Sequence, residues 1–495
     1  MSRSRAWKCE VCGFIHQGEA PPDQCPICGV GSEMFSLLEA PAPKPEAAAA
    51  ASWRCTICDY VHRDGAGPPD KCPVCGAAAS LFEPRAEPAA AGPKSADVKR
   101  IIVVGAGIAG VTAAEHARHT SPAAIITVVS KEEGLPYFRL NLTRLLAGEV
   151  DEASLCMQPE SWFDEQRIEL CVGEVTGIDR AKRQVALGDG QTLAYDRLIL
   201  ASGAHAFVPP IAGAMKEGVF TLRSKADVDG ILERASSAQS CVVLGGGVLG
   251  LEAAGALARR NLAVTLLEGF GWLLPRQLSE RAGRLLQDQI ASDKLVIRSG
   301  VTADVILGDE RARAMRLKSG EEIAADLIII ATGVRPNSYL ARQSGLEVDR
   351  GVIVDDGMRT SDHAVLAAGD IAEHRGAVHG IWPVAYAQGM TAGVNAAGGE
   401  VEMSRLAPSN RLKVLDVDMY SIGQFMPADG SYDVFEHEHE GSYYRFVFHD
   451  GRLVGANLLG DTALAGVVKT AVEQGTQLAE LSDLSEHFPK LLKLT

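Results

Sequence analysis

RIIVVGAGIAGVTAAEH, residues 100–116, runs from a β-branched apolar stretch into a glycine turn and on into helix-forming alanines. Gly105, Gly107 and Gly110 stand in G-x-G-x-x-G spacing. Between a strand and a helix, each glycine has its own task. The first makes the turn, the second lets backbone approach a pyrophosphate at the helix N-terminus, and the third lets helix lie close on strand. A helix is expected over Ile108–His119 and a second strand over Ile125–Val129. The whole pattern returns in SCVVLGGGVLGLEAAG, residues 240–255, with Gly245, Gly247 and Gly250, a helix over Val248–Arg259 and a strand over Val264–Leu267. Two such units predict an α/β chain with two Rossmann-like dinucleotide-binding domains.

The ends of the second strands separate the two ligands. In VTLLEG, Glu268 stands where a carboxylate grips both ribose hydroxyls and repels a 2′-phosphate, and no arginine follows before Arg276. This predicts NADH rather than NADPH. In ITVVSKEEG the same place holds Ser130, with Glu132 and Glu133 just beyond. The ribose contact is assigned to Glu132; a solvated acidic face is the other reading at both places. YDRLILASGA (195–204) and DLIIIATGVRPN (326–337, with Gly333) mark junctions where the chain passes between nucleotide domains. VLAAGDIAE (365–373) resembles a late FAD motif whose Asp, here Asp370 after Gly369, bonds the ribityl chain. IWPVAYAQGMTAG (381–393) starts a helix with Pro383 in its first turn, and that N-terminus favours an anionic reduced flavin ring. The expected FAD contacts include Gly105, Gly107, Gly110, Glu132, Val175, Gly369, Asp370 and Trp382. The expected NADH contacts include Gly245, Gly247, Gly250, Glu268 and Gly333.

Upstream, WKCEVCGFIHQGEAPPDQCPICG (7–29) is repeated as WRCTICDYVHRDGAGPPDKCPVCG (53–76). Cys9, Cys12, Cys25 and Cys28 form one four-thiolate clip, and Cys55, Cys58, Cys72 and Cys75 the other. Paired C-x-x-C knuckles in so short a segment make a tetrahedral metal site whose binding energy holds the segment folded. Four thiolates alone do not choose between zinc and iron. The flanking aromatics (Trp7, Phe14, Phe35; Trp53, Tyr60, Phe82) and Gly13, Gly29 and Gly76 behind the knuckles suit a dry, tuned redox iron. Asp59 replaces Gly13 in copy two, so the two sites are expected to differ in potential. His16 and His62 are read as surface residues. Ala/Pro-rich tethers follow each copy.

The clips closely resemble the short rubredoxin domain of rubrerythrins, whose iron carries one electron. Residues 99–495 resemble the pyridine nucleotide-disulfide oxidoreductases of glutathione reductase fold, nearest the NADH:rubredoxin reductases and the flavoprotein part of assimilatory nitrite reductase. PYFRLNLTRLLAG (136–148) is similar to a segment of that branch. The resemblance implies that Arg139 holds the FAD pyrophosphate, Arg144 sits near the flavin N5 and Glu252 near the nicotinamide. Leu140 and Asn141 stand where that branch often carries proline.

Disulfide reductases of this fold place a redox cysteine beside the flavin, and LNLTRLL has none. Cys156, Cys171 and Cys241 are expected to be small buried residues. A hydride is an electron pair, whereas a rubredoxin iron takes one electron, so FAD must stand between them. The expected function is an NADH-dependent flavoprotein feeding its own two mononuclear irons and then an external acceptor. Rubrerythrin, a flavodiiron protein or a superoxide reductase would be such an acceptor. The rivals are an NADH oxidase or peroxidase whose clips are structural zinc ribbons, and a flavoprotein sensor with zinc-ribbon recruitment modules.

The net charge of −15 argues against a nucleic-acid partner. No apolar run approaches a membrane span and no leader is evident, so a cytoplasmic protein is expected. The boundaries expected are rubredoxin-like domains at 1–38 and 53–84, with linkers at 39–52 and 85–98. An FAD domain is expected at 99–212 and 335–404, an NADH domain at 213–334, and at 405–495 an α+β domain, which in this fold often makes homodimer contacts.

Overall fold

The computed structural model describes residues 6–9, 15–17, 20, 22, 32, 35–38, 52–56, 60–62, 67–74, 76–85, 98–403, 409–414 and 417–480. Chain contacts divide the molecule into two units. One comprises Met1–Trp53, Arg63–Pro68 and Pro84–Glu87, the other Arg54–His62, Pro69–Glu83 and Pro88–Thr495. In the first, strand Ala6–Cys9 pairs antiparallel with Ile15–Gln17 on one side and Phe35–Leu38 on the other, setting Cys9 opposite Phe35. The clip residues Cys12, Cys25, Cys28, Cys58 and Cys75 lie outside the described residues.

The second unit contains both glycine-turn domains. Arg100–Val104 pairs in parallel with Ile125–Ser130 and with Arg197–Leu200, in a five-stranded sheet edged by Ile168–Val172 and Val365–Ala367. Its central strand is buried from Ile101 to Val104, as a parallel sheet covered on both faces requires. The second sheet, also five-stranded and parallel, is centred on Ser240–Leu244, between Ala263–Glu268 and Leu327–Ile330. Each domain adds a three-stranded antiparallel meander, Val175–Ala194 in the first and Ala303–Ala324 in the second. The two domain junctions meet: Ala204–Ala206 pairs antiparallel with Val334–Pro336.

Helices Ile108–Thr120 and Trp382–Ala396 cross closely in the first domain. A Cβ at Gly389 would lie 2.4 Å from the Ala109 carbonyl oxygen, and one at Gly393 2.2 Å from that of Ala113. Small residues on both helices therefore set their separation.

The C-terminal part is a five-stranded antiparallel sheet, with Ser409–Val414 and Tyr432–His439 at its edges, and the helix Ala465–Gln474. Gly475 closes that helix at φ +63°. Strand Tyr432–His439 gives almost no apolar signal, since it is a largely exposed edge. Among the described residues no helix is long and apolar enough to cross a membrane.

Candidate functional site

The two glycine turns are built alike. Gly105 has φ +109° and Gly245 φ +117°, in the region open to glycine. A Cβ on Gly105 would fall 2.3 Å from the Ala201 carbonyl oxygen, and one on Gly245 2.4 Å from that of Ala331. A Cβ on Gly110 or Gly250 would lie 1.9 Å from the carbonyl of the first glycine in its own turn. Gly107 and Gly247 cap the helices with free space where a side chain would project. Each turn is thus a bare backbone cradle at a helix N-terminus, the kind of place that suits a pyrophosphate.

At the first cradle, Ala106, Ser130, Glu132, Tyr137 and Arg139 line a cleft. Glu132 accepts hydrogen bonds from Arg139 and, at 2.5 Å, from the Tyr137 hydroxyl. Arg139 Nη1 also donates to Tyr137 Oη and to the Arg223 carbonyl, each at 2.9 Å. Arg139 and Tyr137 hold the Glu132 carboxyl below its ordinary value against the opposing effect of burial. Tyr137 is pushed up to about 12, chiefly by burial.

Asp370 accepts from Arg223 Nη2 at 2.8 Å. Gly369, at φ +83°, donates its N–H to Gln388 Oε1 at 2.8 Å, and Gln388 is buried. Val175 is buried in the same core, at the start of the first meander. Trp382 stacks on Tyr386 with ring centroids 5.7 Å apart, and its indole nitrogen is buried without a partner among the described residues. Gln388, Arg223 and Tyr137 escape sequence reasoning. Gln388 and Tyr137 stand inside quoted motifs, but nothing in their spacing marks a role, and Arg223 lies in no motif.

At the second cradle, Glu268 is buried at its strand end. Its carboxylate accepts the Gly246 N–H and the Phe270 N–H, both at 2.7 Å. Glu252 accepts from Thr143 Oγ1 at 2.8 Å, and burial pushes its carboxyl up to about 7. Thr143 and Arg144 belong to helix Leu142–Ala147, which packs its leucines into the core shared with helix Val248–Arg259. Arg144 donates to Asn141 Oδ1 at 3.3 Å and pairs with Glu149 at 3.6 Å. Gly333, at φ +111°, has open space on its side-chain face. The fold therefore gathers Glu132, Arg139 and the first glycines in one place, and Thr143, Arg144 and Glu252 in another.

Within the same unit lies part of clip copy two. Cys55 and Cys72 are buried. The Cys55 N–H donates to the Tyr60 carbonyl and the Cys72 N–H to the Ala77 carbonyl, both at 2.7 Å. Thr56 N–H donates to the Leu81 carbonyl at 2.8 Å. The Tyr60 ring lies 6.3 Å from Phe138 at 74°, and 6.3 Å from Trp382 at 48°. Asn141 Nδ2 donates to the Pro73 carbonyl at 3.2 Å. Of the three other cysteines, Cys241 is buried as expected. Cys156 and Cys171 are only half-buried: Cys171 sits on an edge strand, and Cys156 is bridged to Tyr137, with its Sγ donating to the Gln158 carbonyl.

Comparison with known families places these parts. Residues 99–389 match pyridine nucleotide-disulphide oxidoreductases, 408–476 the rubredoxin NAD+ reductase C-terminal domain, and 7–36 and 53–83 the rubredoxin-like domain of rubrerythrin. The nitrite reductase [NAD(P)H] of Bacillus subtilis is 33% identical over 78% of this chain, which covers 49% of that relative. The chain thus spans about half the length of that relative. The NADH-rubredoxin oxidoreductase of Clostridium acetobutylicum is 29% identical over 78% of this chain and 97% of its own. The solved structure of the NADH:rubredoxin oxidoreductase from Clostridium acetobutylicum superposes with TM-score 0.66 at 27% identity, covering 76% of this chain and 96% of that one. The chain belongs to the pyridine nucleotide-disulphide oxidoreductase family, whose cofactors FAD and NAD(H) suit its two bare cradles, joined to rubredoxin-like domains that imply iron.

Proposed function

We propose that the chain is an NADH:rubredoxin oxidoreductase carrying its own rubredoxin-type acceptors, which pass electrons on to an external protein that consumes peroxide, oxygen or superoxide. The observation that carries this reading is the missing thiol. Helix Leu142–Ala147 and the facing helix Val248–Arg259 contain no cysteine, while the same chain carries two four-cysteine clips. A disulfide route has no place to start, and single-electron carriers stand in its stead.

Bound at the first cradle, FAD supplies conversion of a hydride's electron pair into single electrons. The chain's own residues bind and orient. Gly105, Gly107 and Gly110 offer N–H groups to the pyrophosphate, and Glu132 is the ribose ligand once Arg139 turns to phosphate. Asp370, Gly369, Val175 and Trp382 complete the FAD contacts. Gly245, Gly247, Gly250, Gly333 and Glu268 hold NADH. Glu252 and Arg144 are positioning groups on the nicotinamide and flavin sides. The clips hold iron through Cys9, Cys12, Cys25 and Cys28, and through Cys55, Cys58, Cys72 and Cys75.

Anaerobic stopped-flow mixing with NADH tests the reading, with flavin and iron absorbance followed separately. One NADH per chain is expected to bleach the flavin first and then both irons. Zinc in the clips, or iron bands that persist while the flavin is reduced, would overturn it.

A further inference from the structure

Among the described residues, clip copy two makes contacts through residues close in sequence to its cysteines. Tyr60 is tied through its carbonyl to the Cys55 N–H, and Pro73 follows Cys72. These two meet Phe138, Asn141 and Trp382, which belong to the segments read above as flanking the flavin. Tyr60, two residues after the first C-x-x-C pair, and Pro73, inside the second, therefore both touch these segments. Asn141 brings a side-chain amide to this contact. Here the amide does two jobs: Nδ2 donates to the Pro73 carbonyl, and Oδ1 accepts from Arg144. The residue is buried, so its polar atoms need partners, and the clip supplies one of them.

From this geometry we propose that copy two is the resident first acceptor. Tyr60, wedged between Phe138 and Trp382, and the Asn141–Pro73 hydrogen bond hold the clip against the flavin-binding face. The proposal rests on the reading that rubredoxin-type iron drains the flavin. Each electron that crosses converts one ferric ion to ferrous with no bond made or broken. The two electrons of one NADH fill the two clips and leave NAD+ and a proton. Copy two fills directly, and copy one fills after it. Asn141 and Tyr60 are positioning residues, because each acts through the placement of the clip.

The test uses the full-length protein with FAD and iron bound. In the native chain, iron bleaching by NADH is expected in two phases, the faster worth one iron of two. Asn141→Ala lies across the contact from the clip and leaves the clip sequence untouched. It is expected to slow the fast phase relative to flavin bleaching by tenfold or more. Amide exchange of the peptide spanning 137–143 is expected to rise with it. Tyr60→Ala should do the same, and Tyr60→Phe, the residue copy one carries at its matching position, should restore both readouts. Should Tyr60→Ala lose its metal, Asn141→Ala alone decides. Fast-phase and exchange values within twofold of native in Asn141→Ala would overturn the proposal, as would one phase bleaching both irons. A native protein whose iron never bleaches sinks the electron-transfer reading itself, and that result differs from a native protein that bleaches with no response to Asn141→Ala.

Discussion

The two cradles share a backbone and differ in how each fixes its carboxylate. Glu268, at the end of its strand, is held by two N–H groups from its own turn and its own strand end. Glu132 lies beyond the strand end at Ser130 and is held by side chains, Arg139 and Tyr137. Glu268 is buried, whereas the Glu132 and Arg139 side chains are each about a third exposed. Backbone donors are fixed once the fold forms; a side-chain network has rotamers to rearrange when a ligand arrives. The second cradle is thus set in advance, whereas the first is lined by a side-chain network that can rearrange.

The largest effect should come from filling either turn. Gly250→Ala puts a Cβ against the Gly245 carbonyl oxygen, and Gly110→Ala does the same at Gly105. Neither backbone oxygen can yield without moving helix from strand, a strain of about 1–3 kcal/mol or more. Gly110→Ala is expected to purify without flavin absorbance. Gly250→Ala should stay yellow but need NADH at a hundredfold higher concentration to bleach. Flavin-to-protein ratios and NADH titrations read both, and stoichiometric flavin in Gly110→Ala would break the assignment of the first cradle.

Next in size is Glu268→Gln. A glutamine can accept one of the two N–H groups but turns an NH2 toward the other, leaving a buried donor unpaired at about 1–3 kcal/mol. NADH affinity should fall at least tenfold, and the melting temperature should fall with it. Glu132→Gln breaks a part-exposed ion pair worth about 0–1 kcal/mol. Its effect on stability should be smaller and its effect on NADH affinity nil. Equal melting losses in the two variants would erase the distinction between a backbone clamp and a side-chain network.

This difference also explains what was legible in the sequence. The glycine turns, both parallel sheets and the place of Glu268 at its strand end follow from local pattern, because strand, turn and carboxylate lie within a short stretch of one another. The Arg139–Arg223–Asp370 chain was not legible, since Arg223 approaches from a distant part of the chain and no spacing announces it. Gln388 was hidden for the same reason. Asn141 was visible as a departure from a related pattern, but its partner Pro73 belongs to another domain and appears only in three dimensions. Edge strand Tyr432–His439 went unseen because alternation is weak where neither face is buried.

The subtlest contrast is at the seventh residue past each first glycine, where the FAD turn has buried Thr112 and the NADH turn has Glu252. Burial pushes Glu252 to about 7 against an ordinary carboxyl of 4.5, Glu149 adds repulsion, and the Thr143 hydroxyl and Arg144 oppose the rise. A carboxyl with a raised folded value keeps its proton in the folded chain while the unfolded chain has lost it. Stability therefore declines as pH rises from about 4.5 through about 7, and the full loss is present above 7. Glu252→Gln copies the protonated form and can still accept from Thr143. Its melting temperature should match the native protein at the acid end and exceed it by a few degrees at pH 8. The gap should open around pH 7 in scans of FAD-loaded protein without NADH. A gap constant between pH 5 and pH 8 would mean that Glu252 stays ionised throughout, and the chemical contrast between the turns would then reduce to the clamp on Glu268.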